Sequence, residues 1–257
     1  MLPNWRLMTV AALCSGAAGA AAPAYTASGI VRASDYAPGP FAPNSILTIF
    51  GSSLSRSTRQ LTSDDIQAGQ LPTSLNYTQV FVDNYPAPLF YVSDGQINFL
   101  VPASQSVGPS NIRVVTEGNA GPAVTITITD AAPALFALPS GYAIVTHADN
   151  SLVNADSPAH AGEIVVIYAT GLGKTAPNPG TGEIPWYAAQ IVALSSLQVW
   201  LDGSAVDPSL IKYAGLTPQS AGLYQMNVAL PGTGADPELR VTVAGQTSAA
   251  GLKLAIH

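Results

Sequence analysis

Gly95–Pro102 reads GQINFLVP, and Leu223–Pro231 reads LYQMNVALP. Each sets a Gln-x-Asn triplet among alternating apolar positions and closes on a proline. In an extended strand successive side chains point to opposite faces, so Ile97 and Phe99 share one face and Gln96 and Asn98 the other. Met226 and Val228 stand in the same relation to Gln225 and Asn227. Neighbouring stretches fall into the same register. SILTIF (Ser45–Phe50) is answered by EIVVIYA (Glu163–Ala169), TQVFV (Thr78–Val82) by LQVWL (Leu197–Leu201), and the turn pair Asp83–Asn84 by Asp202–Gly203. Tyr168 follows Phe50 by 118 residues, Asp202 follows Asp83 by 119, Arg240 follows Arg113 by 127 and Pro231 follows Pro102 by 129. The offset jumps only within Gly215–Ala221, and insertions gather in loops when strands are the preserved units. The chain is two copies of one β-rich unit. The repeated Gln-x-Asn strand reads as architecture, with Phe99 in a core.

The remaining sequence reads as short strands and turns. VTITIT (Val124–Thr129) alternates without a break, the pattern of a half-buried strand. Ser52–Leu75 is the longest polar loop, and Ala250–Ile256 is expected as the last strand. The first unit holds about seven strands, the number an immunoglobulin-like sandwich requires. The expected fold is all-β: two tandem immunoglobulin-like sandwiches, residues 24–130 and 131–257, after a leader over residues 1–23. Ala131–Leu138 (AAPALFAL) joins them, and its Leu135 and Phe136 are expected to pack at the junction.

The leader has Arg6, a short apolar run over Leu7–Ala18, and A-x-A matches at Ala18–Ala20 and Ala22–Ala24, the marks of a secretory signal. The run falls short of the roughly 20 residues that span a bilayer. Cys14 is the only cysteine and lies inside this segment. Leu13 precedes it where a lipidation site needs a small residue. The mature chain then has no thiol for a disulfide, a metal site or a nucleophile. Lys and Arg together number 9 and never cluster, which excludes a basic nucleic-acid footprint.

The motifs PNSILTIFGSSL, PAPLFYVSDGQINFLVP, AAPALF, EIVVIYATGLG and GLYQMNVALP together resemble the Solibacter-type C-terminal domain of secreted acidobacterial proteins. The halves of that family are similar to IPT/TIG immunoglobulin-like domains. The resemblance covers nearly all of the mature chain and implies the fold and export. The family usually carries polar residues where Leu100 and Ala229 stand, and Ser or Thr at Phe81 and Trp200. No catalytic residue is established for it, so none is carried over. A bacterial source would also make the sequon Asn76-Tyr77-Thr78 irrelevant.

Candidate chemistry is sparse. GLGKT (Gly171–Thr175) follows a strand and imitates the end of a phosphate loop, but Tyr168 stands where that loop needs its first glycine. A proline-rich stretch follows instead of a helix, so a strand-ending turn is the better reading. His147, His160 and His257 lack metal-ligand spacing. His147 lies near Asp149 and Asp156, yet no Gly-x-Ser-x-Gly elbow accompanies them. Asp64, Asp65, Asp149, Asn150 and Asp156 supply oxygens that calcium uses. They are equally ordinary turn residues, and no cofactor is expected. The aromatics stand out. Phe81 and Trp200, at equivalent positions, point away from the core, and Trp186 and Tyr187 share a loop. These four form the expected interaction surface, unless a neighbouring loop or the other unit covers them.

Three classes of function follow. The leading one is an exported, non-enzymatic binding or structural module for adhesion or protein interaction at the cell surface or outside the cell. Its partner is a protein or a glycan, with no nucleic acid, nucleotide or membrane span. The second is a carbohydrate-binding module using the outward aromatics. The third, ranked below both, is a secreted hydrolase. Free sheet edges would also admit a partner strand.

Overall fold

The computed structural model describes residues 21–232 and 234–257. The expected leader lies outside them up to residue 20. No described helix is long and apolar enough to cross a membrane.

The protein is two tandem immunoglobulin-like β-sandwiches, one after the other along the chain. The first contains β1 (Ala24–Arg32), β2 (Ile46–Ser52), β3 (Arg59–Gln60), β4 (Thr78–Val82), β5 (Tyr85–Ala87), β6 (Leu89–Val92), β7 (Gln96–Leu100), β8 (Gly108–Thr116), β9 (Asn119–Ala120) and β10 (Val124–Ile128). One sheet runs β1-β2-β7-β6-β3, and the other runs β10-β8-β4-β5 with β9 on β8. The second sandwich contains β11 (Ala134–Leu135), β12 (Val145–Thr146), β13 (Ile164–Thr170), β14 (Thr175–Ala176), β15 (Ala189–Ile191), β16 (Gln198–Leu201), β17 (Ser204–Ala205), β18 (Ile211–Leu216), β19 (Tyr224–Ala229), β20 (Leu239–Val243) and β21 (Gln246–Thr247). Its larger sheet runs β11-β13-β19-β18-β15-β14, with β12 also on β13, and its smaller runs β17-β16-β20-β21.

The repeat holds at the level of topology. The trio β2-β7-β6 recurs as β13-β19-β18, and β8-β4-β5 recurs as β20-β16-β17. The turn aspartates recur as well. Asp83 Oδ1 accepts the Asn111 N–H at 2.8 Å, and Asp202 Oδ1 accepts the Glu238 N–H at 2.7 Å. Asp202 and Gly203 both have positive φ, 48° and 73°, the tight hairpin geometry whose twist matches that of the strands.

Each sandwich has its own core. Phe99 is fully buried among Leu47, Ile49, Leu89, Ile97 and Ile112 in the first. Val165, Ile167, Met226, Val228 and Val241 fill the second. Tyr25 reaches across the first sandwich: its hydroxyl accepts the Val114 N–H at 2.8 Å and donates to the Pro122 carbonyl at 2.6 Å.

Two expectations need correction. Leu135 does not pack at the junction. It is buried in the second core, because Ala134–Leu135 pairs with β13 as part of that sheet, and Phe136 is half-buried beside it. Ala250–Ile256 is no strand. Lys253 bridges Tyr142 and Glu238, while Ile256 bridges Ala159. The segment is stitched by isolated bridges to several partners and forms no ladder, though Leu254, Ala255 and Ile256 are buried.

The junction is a third cluster: Leu71, Leu100 and Ala221, flanked by Ile46, Leu61, Ile66, Phe90 and Ile184. The stretch Ser52–Leu75, expected as a loop, begins at the end of β2 and carries β3, and its later part serves as a clasp here. Leu71 N–H donates to the Gly182 carbonyl at 2.9 Å and Ile184 N–H to that of Gly69 at 2.8 Å. Ile46 N–H donates to Thr170 Oγ1, which itself donates to the Gly222 carbonyl, both at 3.1 Å. Leu100 Cδ1 occupies the space that a side chain on Gly222 would need.

Candidate binding surfaces

The four aromatics singled out in the sequence lie at three separate places. Phe81 and Trp200 face away from their cores but are half-buried. Phe81 sits opposite Arg113 on one side and Pro86 on the other, and Trp200 sits opposite Arg240 and Ala205. The Trp200 indole donates to Thr242 Oγ1 at 2.9 Å. These flanking strands limit the exposure of both rings. Trp186 is 81% exposed and stands edge-on to Tyr187, ring centroids 5.6 Å apart. Its loop is pinned on both flanks. Ile184 bonds to Gly69, Gln219 N–H donates to the Pro185 carbonyl, and Tyr187 packs on the second core.

The sequence reading missed the outer face of the sheet β1-β2-β7-β6-β3. In β6, Leu89 pairs with Phe99 and Tyr91 with Asn98, leaving Phe90 as the extra residue of a bulge. A bulge re-aims side chains, and Phe90 and Tyr91 both leave the core. Register then places Gln60, Tyr91, Asn98 and Thr48 in one row across four strands, with Phe50 beside Gln96 in the next. Gln60, Phe90, Tyr91, Gln96 and Asn98 line a cleft of about 310 Å³. Asn98 Oδ1 accepts from Thr48 Oγ1 at 3.0 Å and from Gln96 Nε2 at 2.9 Å. This fixes both amides. Tyr36 extends the face beyond Phe50, with ring centroids 5.8 Å apart. The bulge has no local signal in the sequence, and the repeated Gln-x-Asn strand by itself reads as architecture.

Other candidate chemistry is tied up internally. A polar cleft of about 200 Å³ between Asp83, Asn84, Asn111, Arg113 and Ala123 has an aspartate already engaged by the Asn111 N–H and, at 2.7 Å, by Gln105 Nε2. His147 does meet a serine and an acid. Its Nδ1 lies 2.5 Å from Glu163 Oε1, and its Nε2 lies 3.3 Å from Ser157 Oγ and 3.2 Å from the Ser157 carbonyl. The Glu163 hydrogen bond raises the His147 pKa above the ordinary histidine value, and the Ser157 carbonyl adds to the shift. With a carboxylate at one ring nitrogen and a carbonyl at the other, the surroundings favour the doubly protonated ring. The Ser157 N–H is spent on Asn154. The trio staples the turn at Asp149–Asn150, which the Thr146–Leu152 bridge and the bond from His147 N–H to the Ser151 carbonyl close.

GLGKT is a strand-ending turn. Gly171 and Gly173 have φ of 75° and 89°, and a Cβ on either would overlap the carbonyl oxygen of Ala132 or Asp130. Tyr224, fully buried with its pKa raised by that burial, donates to the Gly173 carbonyl. The acidic positions are split between the sandwiches. Asp65 caps Thr62 and pairs with Arg59, and Asp149 caps Ser151. Among the described residues no three His, Cys, Asp or Glu side chains gather to hold a metal.

A TIG/IPT domain is found at residues 33–129, matched by the family model described as IPT/TIG domain. No curated protein matches the chain. Similar solved structures include the surface glycan-binding protein SGBP-B from the mixed-linkage glucan utilization locus of Bacteroides ovatus, 11% identical over 84% of this chain and 42% of that one, TM-score 0.31. Another is the surface glycan-binding protein PbSGBP-B of Prevotella bryantii, 13% identical over 91% and 42%, TM-score 0.29. A third is the Escherichia coli adhesin FdeC, 14% identical over 92% and 65%, TM-score 0.25. The chain spans about two-fifths of the length of the first two. Scores this low leave function to be argued from the residues themselves.

Proposed function

We propose that the mature chain is an exported, non-catalytic binding module, acting in adhesion or protein interaction at the cell surface or outside the cell. The observation that carries this reading is the junction. Backbone bonds from Leu71 and Ile184, and the buried Leu100, tie the two sandwiches into one unit. The same bonds pin the loop that presents Trp186. An exposed tryptophan held in place loses little freedom when it docks, which favours binding. The division into a leader over 1–23 and sandwiches over 24–130 and 131–257 belongs to this proposal, supported by two separate cores. Membership of the Solibacter-type acidobacterial family also belongs to it, supported by motifs from both repeats.

The test is retention of the labelled mature chain on cell-envelope material from the organism that makes it. Saturable retention that Trp186→Ala reduces, with the thermal midpoint unchanged, is the expected result. Turnover of ester or glycoside substrates that His147→Gln abolishes would contradict the non-catalytic reading.

A further inference from the structure

We infer that the outer face of the first sheet, centred on Tyr91 and Asn98, is a binding site for neutral, hydroxyl-rich glycan. The inference rests on the reading of the chain as a binding module and adds a site and a ligand class to it. Three observations carry it.

The cleft combines rings and amides without charge. Phe90 and Tyr91 lie along one side, Gln60, Gln96 and Asn98 complete it, and none of the five is charged at neutral pH. Phe50 and Tyr36 continue the face beyond Gln96. Aromatic faces offer apolar surface for the C–H side of a sugar ring, and convergent polar groups set its orientation.

The polar atoms are fixed yet unspent. Asn98 Oδ1 takes two hydrogen bonds, which orients both amides. Among the described residues, no protein hydrogen bond engages Asn98 Nδ2, Gln96 Oε1 or the Tyr91 hydroxyl, and none of the three is buried without a partner. They offer a donor, an acceptor and a group that is either. Sugar hydroxyls satisfy all three. Polyproline, a ligand of the kind that aromatic grooves also take, offers carbonyl acceptors but no backbone N–H, and leaves Gln96 Oε1 unmatched.

The second sandwich supplies an internal comparison. It keeps the bulge, the Gln225-x-Asn227 pair and the tyrosine, since Ile211 pairs with Val228 and Tyr213 with Asn227. There the bulged residue is Lys212, and the Tyr213 hydroxyl donates to the Leu216 carbonyl at 2.8 Å. Its ring fills the space left by the missing side chain of Gly215. The shared parts are scaffold. The first copy alone has the bulged aromatic and the unengaged phenol.

The test is affinity electrophoresis of the mature chain through soluble starch, galactomannan and hydroxyethyl cellulose, with a polyproline peptide in parallel. Retardation by at least one polysaccharide is expected, weakened roughly tenfold or more by Tyr91→Ala, as for a central contact residue. Asn98→Ala should act the same way and decides the matter if Tyr91→Ala fails to fold. Asn227→Ala, its counterpart in the second copy, should leave retardation unchanged. Failure of all three polysaccharides to retard the wild type, or binding of the peptide alone, overturns the inference. Retardation lost in Trp186→Ala but kept in both Tyr91→Ala and Asn98→Ala overturns it too, and leaves the broader binding reading standing.

Discussion

Replacing Leu100 with alanine should loosen the two sandwiches from one another while leaving each core intact. Leu100 is buried, and one of its methyl groups lies in the hollow over Gly222. It belongs to the small junction cluster and not to the core that holds its neighbour Phe99. Leucine truncation costs about 2–5 kcal/mol, transfer and cavity terms together. Half-buried neighbours such as Ile46, Phe90 and Ile184 can relax into the gap, which places the cost near the lower end, about 2–3 kcal/mol. For a sandwich of this size that is a fall of roughly 0.5–1 M in the guanidinium midpoint. The chain provides a convenient probe. Trp186 and Trp200 both lie in the second sandwich, and Trp5 lies in the expected leader. Fluorescence therefore follows the second sandwich, while far-ultraviolet circular dichroism follows both. Coincident curves are expected for the wild type and separated curves for Leu100→Ala. The control, Phe99→Ala, empties the first core and should cost about 3–5 kcal/mol. A midpoint for Leu100→Ala within 0.2 M of wild type (about 1 kcal/mol or less on the same scale), with curves still coincident, would refute the assignment of Leu100 to the junction.

Three further outcomes follow from local chemistry. The folded-state pKa of His147 lies above its unfolded value, so its contribution is fully present below the unfolded pKa, about 6.5, and is lost as pH rises through the higher folded value; the thermal midpoint should fall across that window and His147→Gln should remove the dependence. Gly171→Ala forces a positive φ on alanine and a clash with the Ala132 carbonyl, and should lower stability by about 2–4 kcal/mol in chemical denaturation. Tyr25→Phe leaves the buried Val114 N–H without an acceptor and should cost about 1–3 kcal/mol by the same measurement.

Much of the fold could be read from sequence because the strands carry their own pattern. Val124–Ile128 alternates as expected, with Ile126 and Ile128 buried and Thr125 and Thr127 exposed. The Asp83 and Asp202 turns fell at equivalent places because hairpin geometry is a local property. What escaped depends on distant partners. Phe99 and Leu100 are adjacent and both buried, against the alternation, because each faces a different cluster. Leu135 looked like a junction residue until its pairing with Ala169 placed it in a sheet. Phe81 and Trp200 point outward as the alternation requires, but the residues that flank them come from other strands. The face around Tyr91 exists only because a bulge shifts one strand by a residue, and nothing in LFYV marks that shift.

The most direct test of where this chain binds is hydroxyl-radical footprinting, which reads side-chain exposure. Free chain and chain retained on envelope material would be compared by the oxidation of Trp186 and Tyr91, with Tyr77 and Tyr85, 78% and 60% exposed, as references. Protection of Trp186 and Tyr91 with Tyr77 and Tyr85 still reactive is the expected result. Protection of Tyr77 and Tyr85, with Trp186 and Tyr91 unchanged, would contradict it.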